Sequence, residues 1–230
     1  MTHGVHELAG VHWEGPVAPD RDKEATFLAD WEKGVFAITL CVAGEGYYSF
    51  ADFRQEIERM HPVAYLSARY YERWLHTAIT NLAKKGVVDP AELEARTQYY
   101  LENPDAPIPQ NSDPELLSRL AGVAVAGVPY RQDDPEHPAR FAVGDRVRVR
   151  HDYYVDGHTR MTGYMRGKVG EIAKVFCRME LPDSGTMDGT PQHEYIYAIR
   201  FEKKEIWGEA AESGRGVMYW DAYECYLEPA

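Results

Sequence analysis

The chain has 230 residues, 44% of them hydrophobic, and a formal net charge of −12 at pH 7. This length and composition support a sizeable buried core and exclude an intrinsically disordered chain. The negative charge argues against a nucleic-acid partner, because phosphate binding needs clustered cationic side chains. No window of about 18 consecutive apolar residues occurs, so we expect neither a membrane span nor a membrane partner.

The N-terminus and the cysteines indicate the cellular setting. The first residues, MTHGVHELAGVHWEGPV, have neither a basic start nor an apolar segment, so we expect no signal peptide. The three cysteines, Cys41, Cys177 and Cys225, are an odd number at wide spacing, which is typical of reduced thiols. Together these features predict a cytoplasmic protein.

Taken in chain order, residues 1–22 are predicted to form an extended arm, because glycine and proline interrupt any apolar period there. Such an arm either lies on a partner chain or docks on its own domain. A helical domain is predicted over residues 23–128. Its first helix covers residues 25–43, where apolar side chains recur at close to 3.6-residue spacing.

Start and stop signals mark the other helices of this domain. The predicted segments are residues 49–60, 62–85, 89–103 and 113–127. Ser49 followed by Asp52 is similar to a capping box and begins the first of them. Gly86 after two lysines ends the second, and Asp-Pro pairs open the last two.

The periodicity changes from 3.6 to 2 after a proline-rich polar linker at residues 129–140. The alternating stretches that follow are FAVGDRVRVRHDYY, GKVGEIAKVFCRM, HEYIYAIRFEKKEIWG and VMYWDAYECYLEPA. Several short strands with turn residues between them predict a small barrel, and the rhythm of VGDRVRV and RGKVGEI is typical of SH3-like barrels. The predicted fold class is therefore α+β, with an N-terminal arm and helical domain followed by an SH3-like β-barrel over residues 141–230.

No complete catalytic constellation is visible in the sequence. It contains no phosphate-binding glycine loop, no Cys-x-x-Cys pair and no nucleophile elbow. His3, His6 and His12 could chelate a metal only if the glycine-rich arm folded them together, and solvated or hydrogen-bonded histidines are the simpler interpretation. We therefore expect no metal to be bound by this chain.

Two arginine-containing stretches stand out in this acidic chain. Residues 49–76, SFADFRQEIERMHPVAYLSARYYERWLH, place arginines among aromatic residues at helical spacing. Residues 156–172, DGHTRMTGYMRGKVGEI, place them among glycines, which allow close backbone approach. Spacing alone leaves two interpretations open. One is a core-facing helix and a twisted hairpin with exposed arginines, and the other is a site wall in which arginine binds an oxyanion.

Seven motifs of the chain share their order and spacing with one known family. They are GVHELAGVHWEGPV, DWEKGVFAI, FRQEIERMHPVAYL, YYERWLH, GHTRMTGYMRGKVG, PDSGTMDGTPQHEYIYAIRFEKKEIWG and WDAYECYLEPA. On these motifs the chain resembles the β subunit of nitrile hydratase over nearly its whole length. Each motif alone is weak, whereas seven in order are specific.

The resemblance implies a heteromeric enzyme that hydrates a nitrile to an amide, in which this chain and an α subunit form an αβ unit that pairs into α₂β₂. In that family the α subunit holds Co(III) or Fe(III) with a Cys-x-x-Cys-Ser-Cys segment and two backbone amide nitrogens. Two of these cysteines are oxidised, to sulfenate and sulfinate. The metal polarises the nitrile or positions a water, and an oxidised cysteine is the nucleophile or base. This chain has no such segment, so the partner would complete the chemistry.

By motif, the resemblance assigns Arg54 and Arg160 as the two arginines that hydrogen-bond to the oxidised cysteine oxygens. Arginine suits an anion in a poorly hydrated interface, because its guanidinium is a permanently charged planar fork. One departure concerns the second arginine. Thr162 and Gly163 stand where the family often has proline and the residue after it, which predicts a looser loop.

The resemblance also implies residues that line the substrate pocket. They are Tyr70, Trp74, Phe50 and Ile38. In the family, the tyrosine matched by Tyr70 reaches toward the metal-bound ligand, and the others are wall positions. A small, weakly polar nitrile suits an apolar pocket with few polar groups.

Two alternatives share these motifs. A thiocyanate hydrolase-type enzyme uses the same scaffold, but its two halves are usually separate subunits, which argues against it for an intact chain of 230 residues. A non-catalytic partner or metallochaperone of the metal subunit resembles the helical half alone. The barrel half and its GHTR motif disfavour that role.

Overall fold

The computed structural model describes residues 26–126, 136–155, 157–184, 191–211 and 216–230. These residues divide near residue 128 into a helical unit, residues 26–126, and a sheet unit, residues 136–230. The predicted arm, its three histidines and residues 129–135 of the predicted linker lie outside the described residues. The boundaries of the arm, the domains and the linker stay predictions.

Six helices form the described part of the helical unit. They are α1 (Asp30–Gly44), α2 (Phe50–Glu58), α3 (Pro62–Ser67), α4 (Tyr70–Lys84), α5 (Pro90–Glu102) and α6 (Pro114–Ala126). The first helix begins at Asp30 rather than near residue 25. The Glu32 carboxylate accepts from the backbone N–H groups of Leu28 and Ala29, which caps the helix there while residue 29 stays extended.

The predicted cap of α2 is confirmed. The Ser49 hydroxyl accepts from the Asp52 N–H at 3.2 Å, and the Ser49 N–H donates to the Asp52 carboxylate at 2.8 Å. This reciprocal pair satisfies two backbone donors that a helix start leaves without intrahelical partners. The cap therefore fixes where α2 begins, one turn before Arg54.

The predicted helix over residues 62–85 is two helices, because the backbone is extended at Ala68 and Arg69. The Glu72 carboxylate accepts from the Arg69 N–H at 2.6 Å and so caps a new helix start. The apolar period runs through this break, which is why periodicity alone predicts one helix. The break makes Tyr70 the first residue of α4.

The sheet unit contains five strands and one short α-helix among its described residues. They are β1 (Arg146–Val149), β2 (Val169–Glu180), β3 (His193–Glu202), α7 (Lys203–Trp207), β4 (Val217–Tyr223) and β5 (Leu227–Pro229). The strands form one antiparallel sheet in the order β4-β3-β2-β1-β5.

The strand predicted from HEYIYAIRFEKKEIWG is shorter than its alternating pattern. It ends at Glu202, and the chain turns into α7 at Lys203. The helical turn brings Ile206, which is 5% exposed, onto the core. It leaves Lys204 and Glu205 exposed, so tertiary burial overrides the local period here.

The core of the sheet unit follows from alternation along the strands. Val147 and Val149 are fully buried, whereas Arg146 is exposed, as the RVRVR pattern predicts. The largest fully buried side chains are Tyr197, Tyr226, Phe201, Met165, Ile172, Ile199 and Leu227. Gly170 lies opposite Val147 in the sheet. A Cβ at this glycine would lie 2.6 Å from Ile199 Cγ2, so the absence of a side chain lets β2 and β3 pack closely there.

The α+β fold class is confirmed in its coarse form. Helices fill the N-terminal half, and an antiparallel sheet fills the C-terminal half. Closure of that sheet into an SH3-like barrel stays a prediction. None of the described helices combines the length and the apolar character that crossing a bilayer requires.

Candidate functional site

Arg54 and Phe50 lie one turn apart on α2. The Arg54 guanidinium carbon is 5.9 Å from the centre of the Phe50 ring, and Nη1 donates to the Phe50 carbonyl at 3.1 Å. Arg54 is half-buried and Phe50 is 39% exposed. The helix therefore presents the predicted arginine and one predicted pocket residue side by side.

Tyr70 and Trp74 lie in contact on α4, with ring centres 5.6 Å apart. They belong to an aromatic cluster of Phe27, Phe36, Phe53, Tyr70, Tyr71 and Trp74, joined by ring contacts of 4.9 to 6.0 Å. Trp74 is half-buried at its centre, and Tyr70 is 61% exposed at its edge. The cluster thus offers an apolar surface with a phenol at its margin, as a site for a small apolar ligand would.

Buried polar side chains of α4 hold α2 against it. The Thr77 hydroxyl donates to the Phe53 carbonyl at 3.1 Å, and the Asn81 amide donates to the Asp52 carbonyl at 3.4 Å. Asn81 also donates to the Thr77 hydroxyl at 3.1 Å, and both side chains are fully buried. Because Asp52 and Phe53 directly precede Arg54, these bonds set the arginine relative to the aromatic cluster.

The sequence interpretation did not single out Asn81. The available signal was helical spacing, which puts the polar Asn81 on one face of the helix with Tyr70, Trp74 and Thr77. A buried polar side chain needs a hydrogen-bond partner, so such a residue on an inward stripe predicts a contact with a neighbouring backbone.

Ile38 lies on α1 and is 49% exposed. The first helix packs against α4, and the Phe36 ring lies 6.0 Å from that of Trp74. Other large apolar side chains of α1 and α2 are also exposed, among them Trp31 at 40% and Phe50 at 39%. The placement of Ile38 in a substrate pocket stays a prediction.

Arg160 lies in the sheet unit, in the loop before β2, and its side chain is exposed. Its N–H donates to the Tyr226 hydroxyl at 3.2 Å. It lines a shallow cavity of about 430 Å³ together with Thr159, Thr162, Ile196, Trp220, Asp221 and Tyr223. On the far side of the loop, a 3₁₀ turn at Gly163–Met165 fully buries Met165. These contacts hold the loop to the sheet unit, and the looser loop expected from Thr162 and Gly163 stays a prediction.

The hydroxyls around this loop converge on Asp183, which the sequence interpretation did not identify. Thr159 donates to Asp183 Oδ2 at 2.7 Å, and Tyr226 donates to Asp183 Oδ1 at 2.6 Å. Burial raises the pKa of the Asp183 carboxyl, and hydrogen bonds from the Tyr226, Thr159 and Tyr153 hydroxyls act in the opposite direction. Burial also raises the pKa of Tyr226, and the neighbouring Asp183 charge adds to this effect, so the phenol stays protonated at neutral pH.

Metal-binding side chains are not clustered in the part of the chain that the structure describes. No group of three or more histidine, cysteine, aspartate or glutamate side chains there could hold an ion. Cys41, Cys177 and Cys225 are free cysteines. Burial raises the pKa of Cys225 to about 12, so its thiol is protonated at neutral pH. The two predicted arginines are hydrogen-bond donors and are suited to an anion rather than to a cation.

Comparison with known proteins identifies both halves of the chain. The family model described as nitrile hydratase beta subunit, N-terminal, matches residues 1–118, and the corresponding C-terminal model matches residues 130–229. Arg54, Phe50, Tyr70, Trp74 and Ile38 fall in the first match and Arg160 in the second.

Named relatives match the chain over almost its whole length. The low-molecular weight cobalt-containing nitrile hydratase subunit beta of Rhodococcus rhodochrous is 37% identical over 99% of this chain and 99% of its own. The cobalt-containing nitrile hydratase subunit beta of Pseudonocardia thermophila is 35% identical over 98% of this chain and 96% of its own. A solved apo-enzyme structure of thiocyanate hydrolase from Thiobacillus thioparus is 25% identical, with a TM-score of 0.40 over 53% of this chain and 100% of its own. That structural similarity is too low to carry an argument, whereas both family matches and the full-length identities agree. The chain therefore belongs to the nitrile hydratase β-subunit family.

Proposed function

We propose that this chain is the β subunit of a cobalt-containing nitrile hydratase, which hydrates small nitriles to amides as an α₂β₂ heterotetramer in the cytoplasm. The observation that carries the proposal is that both β-subunit domains occur on one chain, in order, with one predicted arginine in each. The names of two full-length relatives support cobalt rather than iron. The intact chain disfavours a thiocyanate hydrolase-type enzyme with divided subunits.

The proposed role of Arg54 and Arg160 is to bind the oxidised cysteine oxygens of the α subunit. The cobalt centre, when bound by that partner, supplies Lewis-acid polarisation of the nitrile. The arginines fit this setting, since each offers several N–H donors and neither is deprotonated in a protein. The half-buried position of Arg54 and the exposed position of Arg160 leave both on surfaces that a partner can cover.

The aromatic cluster is the proposed wall of the nitrile pocket. Tyr70 and Trp74 form its accessible edge, and Phe50 and Ile38 add exposed apolar surface. An apolar wall suits the alkyl or aryl part of a nitrile, and the Tyr70 hydroxyl supplies a single polar group for orientation. We also propose that the sheet is the main part of an SH3-like barrel. Two register shifts between β2 and β3 support this, because bulges bend strands.

Composition of the native assembly tests the proposed function directly. Native mass spectrometry with metal analysis is expected to find this chain with an equal number of α chains and about one cobalt for each pair. The same sample should hydrate a simple aliphatic or aromatic nitrile, and separated β chain should not. A chain that purifies alone and adds nothing to the turnover of a cobalt-loaded α subunit would contradict the proposal.

Replacing Tyr70 with phenylalanine is expected to lower kcat/KM for nitrile about tenfold or more, with an unchanged thermal unfolding temperature. The phenol is 61% exposed, and its ring contacts with Tyr71 and Trp74 remain in the variant. Loss of one hydroxyl that contacts the reacting groups typically costs a factor of about 10²–10⁴ when it moves a proton, and less when it only orients the substrate. Steady-state kinetics and calorimetry measure both quantities. Tyr99→Phe, at an exposed position on α5, is the control, and failure of Tyr70→Phe to assemble would indicate a structural role instead.

A further inference from the structure

Arg160 is a long, exposed side chain, and its direction depends on how its backbone is held. A guanidinium fork must be placed to within about 0.5 Å to bind two oxygens of another chain. The backbone from Thr159 to Met161 is held by four linked hydrogen bonds, three of which join residues that are distant in the chain. They are Arg160 N–H to Tyr226 hydroxyl, Tyr226 hydroxyl to Asp183 Oδ1, Thr159 hydroxyl to Asp183 Oδ2 and Met161 N–H to Thr159 Oγ1.

The hydrogen bonds of Asp183, Tyr226 and Thr159 fix the orientation of each of these side chains. Asp183 accepts at Oδ1 from Tyr226 and at Oδ2 from Thr159, and the Tyr153 hydroxyl is a further hydrogen-bond partner of the carboxylate. The Tyr226 phenol donates to Asp183 and accepts the Arg160 N–H, and the Thr159 hydroxyl donates to Asp183 and accepts the Met161 N–H. The backbone N–H groups of Arg160 and Met161 thus donate to the Tyr226 and Thr159 hydroxyls. Both hydroxyls in turn donate to the carboxylate of Asp183.

The Tyr226 ring is itself immobilised in the core of the sheet unit. It is fully buried, and it contacts the rings of Tyr153 at 5.0 Å, Tyr223 at 5.7 Å and Trp220 at 6.4 Å. Its hydroxyl is therefore a fixed point rather than a mobile surface donor. The turn at Leu181–Ser184 holds Asp183 on the other side, through the Ser184 N–H bond to the Leu181 carbonyl at 3.0 Å.

We propose that Asp183, Tyr226 and Thr159 are positioning residues that set the direction of Arg160 toward the oxidised cysteine oxygens of the α subunit. This inference rests on the proposed function of Arg160. These residues touch neither the nitrile nor the metal in the proposal, and they act on turnover through the arginine backbone. Their loss should lower kcat and leave KM nearly unchanged, because the aromatic wall that binds the nitrile is not altered.

The test compares variants in the assembled, cobalt-loaded heterotetramer. Tyr226→Phe and Thr159→Val each remove one hydroxyl and are expected to lower kcat about ten- to a hundredfold, as a misplacement of about 1 Å does. KM should stay within about twofold. Thr159→Ser keeps the hydroxyl and is expected to retain kcat. Hydrogen exchange of the peptide that contains Arg160 should be faster in Tyr226→Phe, which reports the released N–H independently of activity.

Tyr197→Phe is the matched control. Tyr197 is a fully buried tyrosine of the same sheet unit, its hydroxyl bonds to the Glu224 carboxylate, and it accepts the Phe141 N–H at 3.4 Å. Its loss removes the same kinds of bond away from the Arg160 loop. The thermal unfolding temperature of Tyr197→Phe should fall about as far as that of Tyr226→Phe. Its kcat and the hydrogen exchange of the peptide that contains Arg160 should stay unchanged.

Arg160→Lys, measured in parallel, separates a failure of the positioning role from a failure of the proposed role of Arg160. If Arg160→Lys loses turnover while Tyr226→Phe and Thr159→Val keep wild-type kcat in intact heterotetramers, the positioning role is wrong and the role of Arg160 stands. An equal fall of kcat in Tyr197→Phe would also overturn the positioning role, because general destabilisation would explain it. If Arg160→Lys keeps wild-type turnover, the proposed role of the arginine fails first.

Discussion

Replacing Arg54 or Arg160 with lysine is expected to lower the proposed nitrile turnover by about a hundredfold or more while the proposed heterotetramer still assembles. Lysine keeps the positive charge but has no planar fork, so it cannot bind two oxygens in fixed geometry. Loss of one well-placed donor to a reacting anionic centre costs about 10²–10³ in kcat. Steady-state kinetics on cobalt-loaded heterotetramers, with native mass spectrometry for assembly, measure both parts of this expectation.

Two arginines that form ion pairs at the surface provide controls for this experiment. Arg96 pairs with Glu92 at 3.0 Å on α5, and Arg200 pairs with Glu202 at 2.7 Å in the sheet unit. Exposed pairs of this kind contribute little to stability, so Arg96→Lys and Arg200→Lys should match the wild type. Wild-type turnover in both Arg54→Lys and Arg160→Lys would refute the proposed role of the two arginines.

Replacing Gly170 with alanine is expected to destabilise the sheet unit by about 2–3 kcal/mol, although alanine normally suits a strand better than glycine. A Cβ at this position would lie 2.6 Å from Ile199 Cγ2, 2.8 Å from Phe201 Cε1 and 2.9 Å from the Arg200 carbonyl oxygen. The Arg200 carbonyl belongs to the neighbouring strand and cannot rotate away. The strands must therefore separate locally, which opens the core between β2 and β3. Thermal and urea unfolding of the purified protein measure the effect.

Gly34→Ala is the matched control for this substitution. Gly34 is exposed within α1, and nothing lies within 4 Å of its added Cβ. Alanine there is expected to stabilise the helix by about 0.5–1 kcal/mol, because glycine is a poor helix former. A Gly170→Ala variant with wild-type stability would mean that β2 and β3 can separate at no cost, against the packing described above.

Helix boundaries could be predicted from the sequence where a capping side chain next to the boundary sets them. Ser49 with Asp52 and Asp89 before Pro90 are caps that the structure confirms. The break before Tyr70 depends on the Glu72 carboxylate, which accepts from the Arg69 N–H. The apolar period continues through this break, so periodicity cannot show it. The helical turn at Lys203 depends on where Ile206 meets the core, which is a tertiary property.

The candidate site shows the same division. Arg54, Arg160 and the aromatic positions came from motifs that the chain shares with a family. The side chains that hold the backbone at and next to these arginines could not be predicted in this way, because they are distant from them in the chain. Tyr226 lies 66 residues from Arg160, and Asn81 lies 29 residues from Asp52. No local pattern marks such pairs, since only the folded backbone brings them together.

The two units bury their apolar side chains very unequally. Among the described residues, fifteen buried apolar side chains form one core in the sheet unit. The helical unit buries eight, of which three form a cluster, and neither α3 nor α5 contains a buried residue. Local opening is easiest where few apolar contacts must be broken. Limited proteolysis of the purified chain is therefore expected to cut the helical unit before the sheet unit.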